Sequence, residues 1–120
     1  LNLHHIHSFC LALPGTTEDF PFDESTLAFR VGGKIYLLCD SLAFTSVNLK
    51  CDPEQAVELR ERYQAVKPGY HMNKTHWNTV KVPGDYAISN LESWIRHSYE
   101  LIFASLPAKT RNEIQLTRPV

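Results

Sequence analysis

No aspartate or glutamate occurs between Gln64 and Gly84, although 13 of the 120 residues are acidic. Within that gap Lys67, Lys74 and Lys81 supply positive charge, and His71 and His76 add to it at mildly acidic pH. The chain as a whole has no such bias, with 12 lysines and arginines and a formal charge of -1. A protein that grips nucleic acid indiscriminately carries a large positive excess, so anion binding here has to be local.

Cysteine is scarce. The three present, Cys10, Cys39 and Cys51, are odd in number and widely spaced, with no Cys-x-x-Cys, which excludes a disulfide framework and a zinc ribbon. Each lies in or beside an apolar run, which predicts buried, reduced thiols. No apolar stretch approaches the roughly 20 residues of a membrane span, and no signal peptide is visible, so a cytoplasmic protein without membrane association is expected. Also missing are Gly-x-Ser-x-Gly, a phosphate loop, His-Glu-x-x-His and a dinucleotide fingerprint. His71 and His76 are the available acid-base groups and Cys51 the available thiol. Nothing in the sequence sets a nucleophile beside its activator, so neither catalysis nor a cofactor is expected.

What is present suits one domain over residues 1–120, with 43% hydrophobic content and too little length for two cores. Residues 1–5 begin without methionine and read as an added or unordered leader, and their histidines carry no weight as ligands; if native, they join the first helix. Leu3, Ile6, Cys10 and Leu13 follow helical spacing, and Pro14-Gly15 ends the pattern. The acidic segment Thr16 to Ser25 has no period and reads as a loop whose Phe20 and Phe22 pin it to the core. Residues 26–31 and 34–39 predict two strands joined by a Gly32-Gly33 turn, and residues 43–50 a third strand. Asp52-Pro53-Glu54-Gln55 opens a helix with Ala56, Leu59 and Tyr63 on one face, and Pro68-Gly69 closes that region. Trp77 to Val82 alternates as a fourth strand. Ser89-Asn90-Leu91-Glu92 reads as a capping box for a long amphipathic helix that reaches about Ser105. A short helix follows Leu106-Pro107, and Arg118-Pro119-Val120 is expected to fray. Helices segregated over one antiparallel sheet make an α+β domain.

The segment His71-Met72-Asn73-Lys74-Thr75-His76-Trp77-Asn78-Thr79-Val80 resembles the MmcQ/YjbR family of small bacterial proteins. Phe9 to Glu18, the Phe20-Pro21-Phe22 loop, the Gly-Gly hairpin and Asp52-Pro53-Glu54 follow in that family's order, so the resemblance runs from about Ile6 to Leu116. It implies a frataxin-like fold, an antiparallel sheet with helices on one face, also described as a double-wing DNA-binding arrangement.

The functional expectation is weak, salt-sensitive DNA binding through a local basic face. Its candidate residues are Arg30 and Lys34 on the hairpin, and Lys67, His71, Asn73, Lys74, His76 and Lys81 around the central motif. Lysine and arginine would meet phosphates, Asn73 or Asn78 a base edge, and Tyr70 or Trp77 a base plane. Structural roles compete at each position. Trp77 suits a core anchor, Asn73 a side-chain bond that holds its own loop, and the histidines hydrogen-bonded imidazoles. A metal site at Glu18, Asp19, Asp23 and Glu24 is the second reading, weakened by an apolar, histidine-bearing first helix where frataxins have an acidic one. A protein partner is a further alternative, and a monomer is expected.

Overall fold

The structure, a computed structural model, describes residues 2–70 and 72–116. The expectation for Arg118-Pro119-Val120 and the candidate His71 lie outside the described residues. Helix α1 (Leu3–Leu11) takes Asn2 as its N-cap, whose side chain accepts the His5 amide, so Leu3 to His5 are helical. Ile6 and Cys10 are its buried stripe.

Strand β1 (Thr16–Asp19) falls where a loop was expected. It is an edge strand that pairs antiparallel with β2 (Thr26–Val31) and buries none of its residues, so it leaves no alternation for a sequence to show. The β1–β2 loop is not pinned to the core either, since Phe20 is 50% and Phe22 68% exposed. Asp23 holds that loop from within, its carboxylate accepting the Ser25 and Thr26 amides.

The Gly-Gly turn between β2 and β3 (Lys34–Asp40) forms as its sequence predicts, with φ of 58° at Gly32 and 82° at Gly33. Strand β4 (Ser46–Lys50) follows, then α2 (Pro53–Arg62), capped by the Asp52 carboxylate on the Gln55 amide. A three-residue strand β5 (Val66–Pro68) was not expected; it lies at the sheet edge, where proline removes no ladder bond. Strand β6 (Trp77–Lys81) lies inside it, and the order across the sheet is β1-β2-β3-β4-β6-β5, antiparallel throughout.

Helix α3 (Ile88–Ala104) packs on β2, β3 and β4, and α4 (Ala108–Leu116) contributes Ile114 to the core. The start of α3 differs from the expected box. Ala87 is the N-cap, and its amide donates to the Asn90 side chain at 3.1 Å. Glu92 instead reaches His5 on α1 at 3.0 Å, which ties the first helix to the third.

Pairing register sorts the two sheet faces. Leu27, Phe29, Leu37, Cys39, Val47, Leu49, Val66 and Val80 turn toward the helices and join one core with Ile6, Trp94, Ile95 and Tyr99. Alternation turns Thr26, Leu38, Asp40, Ser46, Asn48, Lys67, Thr79 and Lys81 the other way, onto a face that no helix among the described residues covers. The molecule is thus an α+β domain with its helices on one side of a six-stranded sheet.

Candidate functional site

Lys67 and Thr79 face each other across β5 and β6, and Lys81 lies two residues beyond Thr79 on the same face. That diagonal relationship sets the two lysine Cβ atoms about 7–8 Å apart. Both lysines are exposed and border a shallow surface depression of about 590 Å³, shared with Gln64, Ala65, Pro83, Gly84 and Asp85. Asp85 is committed to structure there, its carboxylate accepting the Gln64 amide at 2.8 Å and the Ala65 amide at 3.0 Å. Those two bonds, with a smaller contribution from the Lys67 charge, hold its pKa below the ordinary aspartate range.

The loop between β5 and β6 folds back over the open face. The Tyr70 amide donates to Thr79 Oγ1 at 2.9 Å, and that hydroxyl donates to Asn48 Oδ1 at 2.6 Å, so one relay joins loop, β6 and β4. Asn73 accepts the Thr75 amide on its own side chain at 2.9 Å, an Asx turn that commits it to the loop. Lys74 Nζ reaches the Gly69 carbonyl at 3.3 Å while the residue stays exposed. His76 is also exposed, and its carbonyl accepts the Cys51 amide.

Arg60 of α2 anchors this loop from the helix side, and nothing in the sequence reading singled it out. Its Nε donates to the Asn78 side-chain oxygen at 2.7 Å, and its Nη2 donates to the Lys74 and Trp77 carbonyls. The available signal was helical spacing, because Arg60 follows Ala56 by one turn and so shares the inward face of α2. Asn78, expected as a possible base reader, is 2% exposed and turned toward α2, so its role is internal. Trp77 is half-buried, opposite Lys50, and is not part of the core formed by the described residues; register places it on the open face, against Gly69.

The seven candidate residues among the described ones do not share one surface. Lys67 and Lys81 are neighbours on the open face, and Asn73, Lys74 and His76 sit in the loop at the start of β6. Arg30 lies across the sheet, bound to the Asp19 carboxylate at 2.9 Å and the Gly33 carbonyl at 2.9 Å, so its charge is locally compensated. Lys34 leaves the face altogether and approaches Ser105, at the C-terminal end of α3, at 3.5 Å.

Three of the four carboxylates once grouped as a metal cluster have protein partners: Glu18 with His7, Asp19 with Arg30, and Asp23 with its own loop. Burial pushes the thiols of Cys10 and Cys39 up to about 12 and that of Cys51 up to about 11, so none is a thiolate at neutral pH. No helix among the described residues is long and apolar enough to cross a membrane.

A second depression, of about 500 Å³, lies in the middle of the open face. Leu38, Asn48 and Ser46 line it, and Phe22, Tyr70 and Met72 approach it from two loops. The chain's fold and sequence match those of a known family. The YjbR family model matches residues 11–101. This chain belongs to the YjbR family. Escherichia coli O157:H7 YbdF is 32% identical over 106 residues, covering 88% of this chain and 87% of that protein. Escherichia coli K12 YjbR is 27% identical over 112 residues, covering 92% and 95%. A crystal structure of a Deinococcus radiodurans protein with a DUF419 domain superposes with a TM-score of 0.88 at 36% identity, covering 95% of this chain and 88% of that one. A Pseudomonas syringae crystal structure gives a TM-score of 0.72 at 26% identity, covering 85% and 99%. The shared architecture is therefore that of a YjbR domain along nearly its whole length.

Proposed function

We propose that this YjbR-family protein is a weak nucleic-acid-binding protein without catalytic activity. It meets phosphates along the β5–β6 edge of the open face. The observation that carries this reading is the pairing of Lys67 and Lys81 on one side of Thr79, exposed and on the face that the helices leave bare. Lys74 extends the same lane from the loop. Arg30 and Lys34 fall outside it, so the interface is narrower than the eight-residue set read from sequence.

Three lysines set the scale of the interaction. Neutralising about three phosphates gives a slope of log affinity against log salt of about -2 to -3, modest beside proteins that make 6–10 such contacts. The test is fluorescence anisotropy of a labelled oligonucleotide at low and moderate salt, comparing the wild type with the Lys67→Glu, Lys81→Glu double variant. Both side chains are exposed, so the variant keeps its fold. Binding that weakens with salt and falls at least about tenfold in the variant supports the reading, since each reversed charge both removes a contact and repels a phosphate. Undiminished binding in the double variant would place the interface elsewhere.

A further inference from the structure

We infer that the nucleic acid taken by this face is a single strand, with a base seated in the central groove beside Phe22. This rests on the phosphate lane just described and specifies what lies next to it. The groove floor is Leu38, only 8% exposed, with Thr26, Ser46, Asn48 and the carboxylate of Asp40 as polar neighbours; Asp40 also accepts the Leu42 and Ala43 amides. Phe22 is 68% exposed at the rim and belongs to the β1–β2 loop. Tyr70, 70% exposed, and Met72 enter from the β5–β6 loop on the opposite side. Two loops from opposite edges of the sheet therefore reach one concave, partly apolar site.

Exposed aromatic and apolar side chains over a sheet, bordered by lysines, match what an unstacked base requires. The base plane gains by contact with a ring, and its edge finds hydroxyl and amide groups nearby. Asn48 and Ser46 supply such groups here. An apolar peptide side chain would also fill the groove, but only a ligand that brings regularly spaced negative charge, as a phosphate backbone does, gains from the lysine lane beside it. Charge complementarity therefore favours the nucleic acid.

Charge distribution argues against a duplex. Lys67 and Lys81 lie on β5 and β6, whereas Asp40 ends β3 and Asp19 lies on β1, all on the open face. From β5 to β3 is three strand spacings, about 14 Å. One phosphate backbone fits the lysine lane, and an uncharged base can lie beside Asp40, whereas the phosphates of a second strand laid across the sheet would be repelled by that carboxylate. The groove is also a depression, whereas direct reading of a duplex uses a helix or ribbon that projects into a major groove about 12 Å wide. Of the hairpin basic groups, Arg30 is held by Asp19 and Lys34 turns to Ser105 at the C-terminal end of α3.

The test uses the full chain and three labelled probes: a short oligothymidylate, an abasic oligonucleotide of the same phosphate count, and a hairpin duplex. Each is titrated by anisotropy against wild type, Phe22→Ala and the Lys67→Glu, Lys81→Glu variant, with thermal melting to confirm folding. Expected are tightest binding to oligothymidylate, a loss of about fivefold or more for the abasic strand, and a similar loss for Phe22→Ala on oligothymidylate alone. Equal or tighter duplex binding, or indifference to both the bases and Phe22, overturns the single-strand inference; continued dependence on the two lysines would then leave the phosphate lane standing. Absence of binding to every probe at low salt overturns both readings together.

Discussion

Arg60 Nε lies 2.7 Å from the side-chain oxygen of Asn78, joining the second helix to the start of the sixth strand. The same guanidinium also donates to the Lys74 and Trp77 carbonyls, so one side chain closes the loop that carries Lys74 and His76. Arg60→Ala removes the donor and leaves the buried Asn78 oxygen unpaired, a destabilisation expected at about 2 kcal/mol. Arg60→Lys should recover little, because a point ammonium does not reproduce a planar fork with several acceptors. Urea unfolding of both variants measures this; a full recovery by lysine would show that charge alone matters.

Ser98 joins α3 to two adjacent strands. Its hydroxyl donates to the Tyr36 carbonyl at 2.6 Å and accepts the Lys50 amide at 2.9 Å, with the residue fully buried. Ser98→Ala strands both backbone groups and should cost about 1–3 kcal/mol. Hydrogen exchange should show the Lys50 amide losing protection relative to its neighbours. Unchanged protection there would mean that the hydroxyl is replaceable.

Gly32 and Gly33 share a turn but not a neighbourhood. A Cβ at Gly32 would stand 2.5 Å and 2.7 Å from the methyl carbons of the buried Leu106, whereas one at Gly33 meets nothing within 4 Å. Gly33→Ala should cost only the left-handed penalty of about 1–2 kcal/mol. Gly32→Ala adds the displacement of Leu106, so its unfolding midpoint should fall further. Equal midpoints would show that Leu106 turns aside freely.

Asp85 should impose a pH dependence on stability. Its folded pKa is lowered chiefly by the Gln64 amide and then the Ala65 amide, so its contribution is full above the unfolded aspartate value of about 3.9 and disappears as pH falls through the lower folded value. The deficit of Asp85→Asn in urea midpoint should therefore be largest near neutrality and shrink in acid. A deficit that stays constant with pH would assign Asp85 a role independent of its charge.

Much of the fold was legible because each strong element carries its own signal. The Gly32-Gly33 turn admits positive φ without penalty, Asp52-Pro53 caps and starts a helix, and Leu91, Trp94, Ile95, Tyr99 and Ile102 repeat at helical spacing. The edge strands β1 and β5 were not legible. The first buries no residue and the second has only three, so their pairing comes from backbone bonds that leave no pattern in side chains. The start of α3 was misread because Glu92, in capping position by sequence, is held instead by His5, a residue 87 positions away.

The candidate site divides in the same way. Residue type and the carboxylate-free run by themselves determined that positive charge would gather around β5 and β6, because charge is a property of the chain. Only the tertiary structure decided which of those charges share a face. Register turns Lys67 and Lys81 to the open side and Asn78 to the closed one, Asp19 compensates Arg30, and Ser105 draws Lys34 to the C-terminal end of α3. Phe20 and Phe22, apolar enough to suggest the core, stay exposed because the core is filled by residues of the sheet and helices that the chain brings together from far apart. Hydrophobicity is local to each residue; the space available to bury it is set by the packing of the whole.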